Sequence, residues 1–293
     1  MDQWGEISAA IGRAAGLSFN LARAVPLGGG DINSAYRLEG RDGTRYFAKL
    51  NTADRRAMFA AESASLEAMA NTRTVRVPRP VAYGVSGHFA FLVLEHLDLG
   101  GTGNARMLGE RLAAMHRASA PEFGFALDNT IGSTPQPNGW MNEWIAFWRE
   151  RRLAFQLRLA AKNGYGGKLQ ELGERLLDAL PVYFKGYTPQ PSLLHGDLWR
   201  GNHAYLRDGA PVIFDPAAYY GDREADIAMT ELFGGFDSDF YSAYRAAWPL
   251  DAGYATRKTL YNLYHILNHA NLFGAGYARQ AQDMIQRLLI EAA

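Results

Sequence analysis

The sequence of 293 residues contains no cysteine. This absence excludes disulfide bonds, thiolate zinc sites and cysteine nucleophiles, and it fits a reducing compartment. The opening residues, MDQWGEISAA, lack the basic start and the apolar core of a signal peptide. No apolar run approaches the ~20 residues that a membrane-spanning helix requires. We therefore expect a soluble cytoplasmic protein that has no membrane partner.

The sequence also lacks an excess of charge of either sign, because 30 Lys and Arg residues balance 30 Asp and Glu residues. Nucleic acids and anionic membranes are bound by basic surfaces, so the composition predicts neither as a partner. Internal repeats and low-complexity segments are missing as well. What remains is a globular composition, 48% hydrophobic and 20% charged, in a chain long enough for one large domain or two lobes.

The region 193–236 contains the residues that are most informative about chemistry. A His-Gly-Asp triplet ends at Asp197, Asn202 follows five residues later, and a short apolar strand then ends in Asp215. Asp-x4-Asn is the spacing of a kinase catalytic loop, and an apolar strand that ends in Asp is typical of the metal-binding segment of kinases. Any one of these residues alone would be an ordinary turn residue. Their combination indicates phosphoryl transfer from ATP.

Phosphoryl transfer needs a carboxylate that accepts the proton of the acceptor hydroxyl, and oxygen ligands that hold Mg²⁺ against the phosphates. We predict that Asp197 is the base and that Asn202 and Asp215 bind Mg²⁺. Two further residues are predicted to support the catalytic loop rather than to contact substrate. They are His195, within the triplet, and Asp226, in the first turn of a following helix.

A glycine run near the N-terminus is a candidate phosphate-binding loop. Gly28, Gly29 and Gly30 lie between two predicted strands, 21–27 and 34–39. Glycine allows backbone N–H groups to approach phosphate oxygens closely, so we predict that this loop contacts the nucleotide. The run is not a Gly-x-Gly-x-x-Gly motif, and the alternative is an ordinary loop between strands.

Lys49 and Glu62 are predicted to form an ion pair that orients the nucleotide. Lys49 lies inside an apolar strand predicted over 46–50, and Glu62 lies on the apolar face of a helix predicted over 54–70. A carboxylate on an apolar face needs a cation, because burying it unpaired is costly. The pair would direct the Lys49 ammonium at the α and β phosphates. The alternative is a Lys at an exposed sheet edge and a partly exposed Glu.

The next predicted nucleotide contact is a hinge that follows a continuous apolar strand. Backbone groups of Glu95, His96 and Leu97 are predicted to bind the edge of the adenine. The hinge also divides the predicted domains, with a nucleotide-binding lobe over 1–97 and a catalytic and substrate-binding lobe over 98–293.

The C-terminal part of the chain is predicted to be mostly helical, with a loop over 122–140. His116 lies beside the apolar stripe of one predicted helix and is expected to be a packed core residue. On another helix, Tyr261, His265 and Asn268 share one face. Such a polar strip indicates a solvated face, a satisfied polar network or, as a sharper alternative, a pocket for the acceptor. The predicted helices span 105–118, 141–161, 168–180, 238–247, 256–272 and 280–292, with another that begins near 222.

Several longer motifs are more specific than the kinase spacing. With them the chain resembles the fructosamine kinase (ketosamine-3-kinase) family, of bacterial type, within the protein-kinase-like and aminoglycoside phosphotransferase group. The resemblance covers nearly the whole chain. The motifs that carry it are DNTIGSTPQPNGWMNEW at 128–144, HGDLWRGN at 195–202, DPAAYYGDREADIAM at 215–229 and YHILNHANLFGAGY at 264–277.

The resemblance implies a two-lobed α/β (α+β) kinase fold, with a small β-rich N-terminal lobe and a larger, mostly helical C-terminal lobe. It implies transfer of the ATP γ-phosphate, with Mg²⁺, to the O3 hydroxyl of a ketosamine, either a small molecule or a glycated protein lysine. Such phosphorylation makes the adduct fall apart, which is a deglycation repair. Trp199 would pack on the sugar, or alternatively fill the underside of the loop. The roles predicted above for Lys49, Glu62, Asp197, Asn202 and Asp215 carry over.

Two other functions compete with this interpretation. An aminoglycoside- or choline-type phosphotransferase would share the catalytic residues, but a pocket for a polycation should be acidic, and the C-terminal helices show no acidic cluster. A pseudokinase that only binds ligand should have lost at least one catalytic element, and all five are present. The sequence makes no prediction of oligomeric state or of the preferred sugar.

Overall fold

The computed structural model describes residues 3–28 and 32–292. The chain forms two compact units. Unit 1 comprises Met1–Asn104 and His203–Pro216, and unit 2 comprises Ala105–Asn202 and Ala217–Ala293. The chain therefore leaves unit 1, returns to it for a short segment, and leaves it again. The functional lobes predicted over 1–97 and 98–293 stay a prediction. That prediction divides the chain at a single point and does not include the return of 203–216 to unit 1.

The secondary structure follows the predicted order of a β-rich first part and a helical remainder. Short 3-10 turns lie at Ala53–Arg55, Leu180–Phe184 and Arg200–Asn202. The helices are α1 (Gln3–Ala15), α2 (Arg56–Asn71), α3 (Ala105–His116), α4 (Trp144–Phe147), α5 (Ala154–Lys162), α6 (Lys168–Ala179), α7 (Glu224–Leu232), α8 (Ser238–Ala247), α9 (Tyr254–Phe273) and α10 (Ala275–Glu291). The strands are β1 (Leu21–Leu27), β2 (Ser34–Gly40), β3 (Arg45–Thr52), β4 (Pro80–Ser86), β5 (Phe89–Glu95), β6 (Asn129–Ile131), β7 (Thr134–Gln136), β8 (Ser192–Leu194), β9 (His203–Tyr205), β10 (Pro211–Ile213) and β11 (Tyr219–Gly221).

Unit 1 is organised around an antiparallel sheet in the order β1-β2-β3-β5-β4. Its core lies under α1, where Ile7 and Ile11 are 1% and 0% exposed and cluster with Leu38, Ala48 and Val93. Burying each isoleucine stabilises the fold by about 1.5–3 kcal/mol. Neighbouring residues in a strand point to opposite faces, so the residue after Ala48 points away from this cluster.

The segment 203–216 joins unit 1 as the β9–β10 hairpin and its continuation. The backbone N–H of Ile213 donates to the carbonyl of Arg76 at 3.0 Å, and that of Gly100 donates to the carbonyl of Tyr205 at 3.1 Å. Gly101 is required here, because a Cβ at this position would lie 1.8 Å from the carbonyl oxygen of Leu206. These contacts place the residues after β10 within unit 1.

Unit 2 is built mainly from helices that bury their faces against one another. α3 packs on α8, α7 packs on α9, and α9 packs on α10. Residues around most of the circumference of α9 are buried, which is typical of a helix in the interior of a domain. Outside these helices, β8 pairs with β11 and β6 pairs with β7. Within the described residues, no helix combines the length and the apolar character that a bilayer-spanning segment would need.

Two predictions for unit 2 are wrong in detail. The predicted loop over 122–140 contains the β6–β7 hairpin, in which Asn129 lies opposite Gln136. This hairpin buries amide side chains rather than alternating apolar ones, so its sequence lacks the usual strand pattern. The helix predicted over 141–161 begins only at Trp144, and a π-helical segment, Trp148–Leu153, separates α4 from α5.

Candidate active site

Unit 1 contains a buried lysine that binds two carboxylates. Lys49 lies on β3, is 7% exposed, and points away from the core under α1. Its Nζ lies 2.6 Å from Oε1 of Glu62 on α2 and 2.6 Å from Oδ1 of Asp215, just after β10. The predicted pairing of Lys49 with Glu62 is therefore confirmed, and the alternative of an edge-exposed lysine is wrong. The pairing with Asp215 brings a third predicted residue into the same group.

The two carboxylates of this group stabilise the charge of Lys49. Burial by itself lowers the pKa of Lys49, but the carboxylates of Glu62 and Asp215 outweigh it, and the pKa is raised above its ordinary value. Burial and the charge of Asp215 raise the pKa of Glu62, and the adjacent Lys49 ammonium opposes them only in part. Lys49 is consequently a cation throughout the physiological range, held in one direction by two partners.

Asp215 has an unusual backbone conformation, with φ at +58°. Few residues other than glycine adopt this left-handed region, and Asp and Asn are the most tolerant of them. Its side chain is 48% exposed, and within the described residues no hydrogen bond reaches its Oδ2. Strain of this kind costs of order 1–3 kcal/mol and is concentrated at functional sites. The conformation leaves one carboxylate oxygen open to solvent while Lys49 holds the other.

Unit 2 contains the His-Gly-Asp turn, which is held by a buried carboxylate. Asp226, 1% exposed, accepts hydrogen bonds from the backbone N–H groups of His195 at 2.6 Å and Gly196 at 2.8 Å. Asp226 thus holds the backbone of this turn, as expected, and the catalytic role of the turn stays a prediction. His116, fully buried as expected, places Nε2 at 3.1 Å from the same carboxylate and Nδ1 at 2.8 Å from the Tyr244 hydroxyl.

The charge of Asp226 is stabilised despite its burial. Desolvation alone would raise the pKa of Asp226, but the hydrogen bond from His116, the charges of His116 and His195, and the backbone N–H of Gly196 lower it overall. An ionised carboxylate accepts both backbone hydrogen bonds of the turn more strongly than a neutral one would.

The turn also packs directly on the residue that follows Pro216. Gly196 has φ at +81°, and a Cβ there would lie 2.1 Å from the carbonyl oxygen of Ala217. The backbone N–H of Ala217 donates to the carbonyl of His195 at 2.9 Å. Only glycine satisfies both requirements, so the glycine of the triplet is explained by this close approach.

Asp197 and Asn202 are joined by hydrogen bonds within unit 2. Asn202 Nδ2 donates to the Asp197 carbonyl at 2.8 Å and lies 3.4 Å from its Oδ2. Because the amide nitrogen is used in this way, Oδ1 of Asn202 is left as an acceptor, and no described residue donates to it. The five-residue spacing thus closes a turn that orients an amide oxygen beside the predicted base.

Trp199 lies in the same turn and is 40% exposed. Its ring covers Gly201, where a Cβ would lie 2.4 Å from the ring. One part of the indole therefore stabilises the loop while the rest is available to solvent. Its predicted contact with a sugar stays a prediction.

The predicted nucleotide contacts at the hinge and in the glycine run receive less support. The N–H of Glu95 already donates to the carbonyl of Arg79 at 2.8 Å, and its carboxylate pairs with Arg76. The carbonyl of Leu97 accepts the N–H of Leu99 at 3.1 Å. Adenine binding by the backbone of Glu95, His96 and Leu97 stays a prediction. A Cβ added at Gly28 would meet no atom within 4 Å, and Gly29 and Gly30 lie outside the described residues.

The polar strip on α9 is buried. Tyr261, His265 and Asn268 are 0%, 6% and 3% exposed, which rules out a solvated face. The Tyr261 hydroxyl donates to Asp222, and the amide of Asn268 accepts from Gln156 at 3.2 Å. Most of the strip is therefore a satisfied network. The acceptor pocket stays a prediction.

Comparison with known proteins identifies the group to which these residues belong. The family model described as "Fructosamine kinase" matches residues 3–291. The chain belongs to the fructosamine kinase family. A protein of Synechocystis sp. named "Probable ketoamine kinase" is 47% identical over 291 residues, which cover 98% of this chain and 97% of the relative. The chloroplastic protein-ribulosamine 3-kinase of Arabidopsis thaliana is 43% identical over 278 residues, or 94% of this chain and 85% of the relative.

Solved structures agree with this membership. The crystal structure of a candidate fructosamine-3-kinase from Haemophilus somnus 129PT has a TM-score of 0.89 at 29% identity, covering 98% of this chain and 97% of that one. An amicoumacin kinase solved with AMP-PNP and Ca²⁺ has a TM-score of 0.60 at 14% identity, covering 99% and 96% of the two chains. The more distant likeness concerns the fold alone. The fructosamine kinase family member described here therefore has the protein-kinase-like phosphotransferase fold predicted from its sequence.

Proposed function

We propose that this protein is an ATP-dependent kinase that phosphorylates the O3 hydroxyl of ketosamines, the adducts of sugars with amines or protein lysines. The observation that carries the proposal is the Asp197–Asn202 turn braced by Asp226, in a chain that matches the fructosamine kinase family over residues 3–291. The names of the relatives from Synechocystis and Arabidopsis support the choice of acceptor. A cytoplasmic location remains part of the proposal.

The reaction assigns one task to Asp197. As the O3 oxygen of the ketosamine forms a bond with the γ-phosphorus, the Asp197 carboxylate accepts the O3 proton. The bond between the γ-phosphorus and the β–γ bridging oxygen breaks, and ADP leaves with the electron pair. The Asn202 amide and the Asp226 carboxylate contribute by fixing the backbone on either side of Asp197.

Lys49 is assigned to the nucleotide. Its ammonium is permanently charged and is held by Glu62, so it can bind the α and β phosphate oxygens without first being ordered. Glu62 has no role toward substrate in this proposal. It keeps the cation in place and compensates for its burial.

The donor atoms available on Asn202 and Asp215 fit Mg²⁺. One is an amide oxygen and the other a carboxylate oxygen, and both are uncommitted among the described residues. Mg²⁺ prefers such hard oxygen ligands and usually takes only one or two from the protein, with phosphates and water completing its octahedron. Within the described ranges, no cluster of three or more His, Asp or Glu side chains could hold a metal ion. When bound, the ion would neutralise charge on the transferring phosphate.

The acceptor is tested by comparing three alcohols in one assay. We expect kcat/KM for a ribulosamine or fructosamine adduct of lysine to exceed that for kanamycin and choline by at least ~10²-fold. A site that hydrogen-bonds the sugar of a ketosamine leaves its polar groups unpaired with choline, which has no sugar, and mispaired with the rings of kanamycin. ADP release would measure the rate, and NMR of the product would locate the phosphate.

Each outcome of this experiment decides a different part of the proposal. Kanamycin or choline coming out ahead would overturn the ketosamine assignment and leave the kinase assignment standing. Phosphate on any oxygen other than O3 would overturn the regiochemistry. Absence of ADP release with every acceptor would favour the pseudokinase. Asp197→Asn serves as the blank for ATP hydrolysis that does not depend on the site.

A further inference from the structure

Three amide side chains around the β6–β7 hairpin are buried in unit 2 without any apparent need for polarity. Asn129, Gln136 and Asn138 are 7%, 0% and 0% exposed. Buried polar groups are costly unless each finds a partner, and apolar side chains would fill the same space at lower cost. The partners of these amides therefore indicate what they do.

Two of the amides hold the backbone that follows Pro216. Gln136 Nε2 donates to the carbonyl of Ala217 at 3.0 Å and to Oδ1 of Asn129 at 2.7 Å. Asn129 Nδ2 donates to the carbonyl of Ala218 at 2.9 Å. The carbonyls of two consecutive residues, Ala217 and Ala218, thus accept hydrogen bonds from two amides that are themselves hydrogen-bonded to each other.

The orientation of each amide is fixed by two neighbouring side chains, Arg152 and Tyr264. The guanidinium of Arg152 can only donate, and it donates to Oδ1 of Asn138 at 2.7 Å. The nitrogen of Asn138 therefore faces Oδ1 of Asn129 at 2.9 Å, which leaves the nitrogen of Asn129 for Ala218. On the other side, the hydroxyl of Tyr264 donates to Oε1 of Gln136 at 2.7 Å.

Arg152 is an unusual end point for such a network. It is 0% exposed and forms no ion pair with any described carboxylate. Its guanidinium lies 4.0 Å from the ring centre of Tyr219 and 4.7 Å from that of Phe147, and it donates to the Pro137 carbonyl at 2.6 Å. Because a guanidinium can only donate, Arg152 fixes which atom donates and which accepts in each hydrogen bond of the network.

The same backbone contacts the catalytic turn on its other side. The N–H of Ala217 donates to the carbonyl of His195, and the carbonyl of Ala217 lies against Gly196. Ala217 is thus clamped between the Gln136 amide and the turn that ends in Asp197. Moving the amide would move the surface on which this turn rests.

We propose that Gln136 and Asn129 are positioning residues for the proposed phosphoryl transfer, acting on Asp197 through the backbone of Ala217 and Ala218. The expected effect of these residues on turnover rests on the proposed function, whereas the hydrogen bonds that hold Ala217 are observed within unit 2. Misplacing a catalytic group by about 1 Å can lower a rate by ~10²-fold, so a device that fixes the base has a measurable consequence.

The main test is Gln136→Glu. This change keeps the shape and the acceptor for Tyr264, but it places a carboxylate oxygen where a nitrogen donates to the Ala217 carbonyl. We expect kcat with a lysine ketosamine to fall by about 10²-fold, with the KM for ATP nearly unchanged. Tyr264→Phe, which removes one hydroxyl from the same network, should lower kcat by about 5-fold.

Tyr183→Phe is the matched control. The Tyr183 hydroxyl is also buried in unit 2, where it donates to the carbonyl of Leu288 at 2.8 Å. Each tyrosine variant removes one buried hydroxyl, and similar falls in Tm are expected. Only Tyr264→Phe should lower kcat. Equal kcat values for the two variants would overturn the proposal, and this comparison decides the question even if Gln136→Glu does not fold.

Hydrogen exchange separates this proposal from the proposed function. The backbone amide of Ala217 should exchange at least ~10-fold faster in Tyr264→Phe than in Tyr183→Phe. This measurement requires no acceptor, so it remains decisive if the wild-type protein turns over no ketosamine. Unchanged exchange together with unchanged kcat would mean that the network only fills the core.

Discussion

At the scale of single residues, the two aspartates of the candidate site have different surroundings. Asp215 lies 2.6 Å from the Lys49 ammonium and has a half-exposed side chain, whereas Asp197 lies in a turn that the Asn202 amide closes by donating to its carbonyl at 2.8 Å. A carboxylate that a cation holds by one oxygen can still offer its other oxygen to a metal ion. The geometry therefore favours the metal-binding role proposed for Asp215.

Replacing Asp197 by Asn tests the base. The amide preserves the shape of the turn but cannot accept the proton, so kcat should fall by at least ~10²-fold while the affinity for ATP is retained. Steady-state kinetics with a ketosamine and calorimetric titration with ATP would measure the two quantities. Turnover near the wild-type value would show that Asp197 is not the base.

Replacing Asp215 by Ala tests the metal ligand. ATP binding should weaken, and its dependence on Mg²⁺ should be reduced, because one protein ligand is lost. Titration with ATP in the presence and absence of Mg²⁺ would measure the effect. Asp42→Ala, an exposed change in the β2–β3 turn of the same unit, is the control. An Asp215→Ala protein whose ATP affinity responds to Mg²⁺ as the wild type does would contradict the assignment.

At the scale of elements, α9 combines burial with polar side chains. Burial lowers the pKa of His265 to about 3, with the charges of His269 and Arg152 adding to the effect and that of Asp226 opposing it. His265 is therefore neutral in the folded protein at any pH at which the protein would be studied. The unfolded chain, with an ordinary histidine pKa near 6.5, binds the proton more readily.

This difference predicts a loss of stability in mild acid. Between about pH 6.5 and pH 3 the unfolded state binds a proton that the folded state does not, so His265 makes the free energy of unfolding fall as the pH falls, by up to ~1.4 kcal/mol per unit. His265→Gln should flatten the dependence in that range. Urea unfolding from pH 4 to 7 would measure it, with the exposed His88→Gln as control. Equal slopes in wild type and His265→Gln would disprove the prediction.

The elements also show which parts of the fold a sequence can predict. The apolar stretch of β3 and the continuous apolar run of β5 predict the positions of these strands, and a carboxylate on an apolar helix face predicts the partner of Lys49. The β6–β7 hairpin was missed because its inward residues, Asn129 and Gln136, are polar. Amides whose partners include backbone carbonyls far away in the chain leave no local pattern, and neither does the buried Arg152.

The pairing of segments that are far apart in the chain could not be predicted from the sequence, for a related reason. The sequence predicts a strand over 212–214 that ends in Asp215, and the strand is confirmed in outline by β10. The function of Asp215 stays a prediction. The attachment of that strand to Arg76, and hence its place in unit 1, depends on pairing between segments far apart in the chain. Periodicity determines which face of a strand is buried, but it does not identify the partner.

At the scale of the whole molecule, the absence of cysteine has a direct consequence for regulation. Activity should not respond to mild oxidants or to thiol reductants, because the chain has no thiol to oxidise and methionine oxidation is reversed by different chemistry. Turnover after treatment with diamide, followed by dithiothreitol, would be compared with an untreated sample. Loss of activity in diamide that dithiothreitol restores would contradict this expectation for the purified protein.

The return of residues 203–216 to unit 1 has a consequence for the order in which the protein is made. Domains usually fold as units during synthesis, the N-terminal one first. Here the ribosome completes Met1–Asn104 and then the whole of the Ala105–Asn202 segment before it adds the hairpin that belongs to unit 1. The nascent Lys49 can meet Glu62 early, but Asp215 reaches it only late in translation. The order of synthesis therefore makes unit 1, although it begins the chain, unable to reach its final form before a large part of unit 2 has been translated.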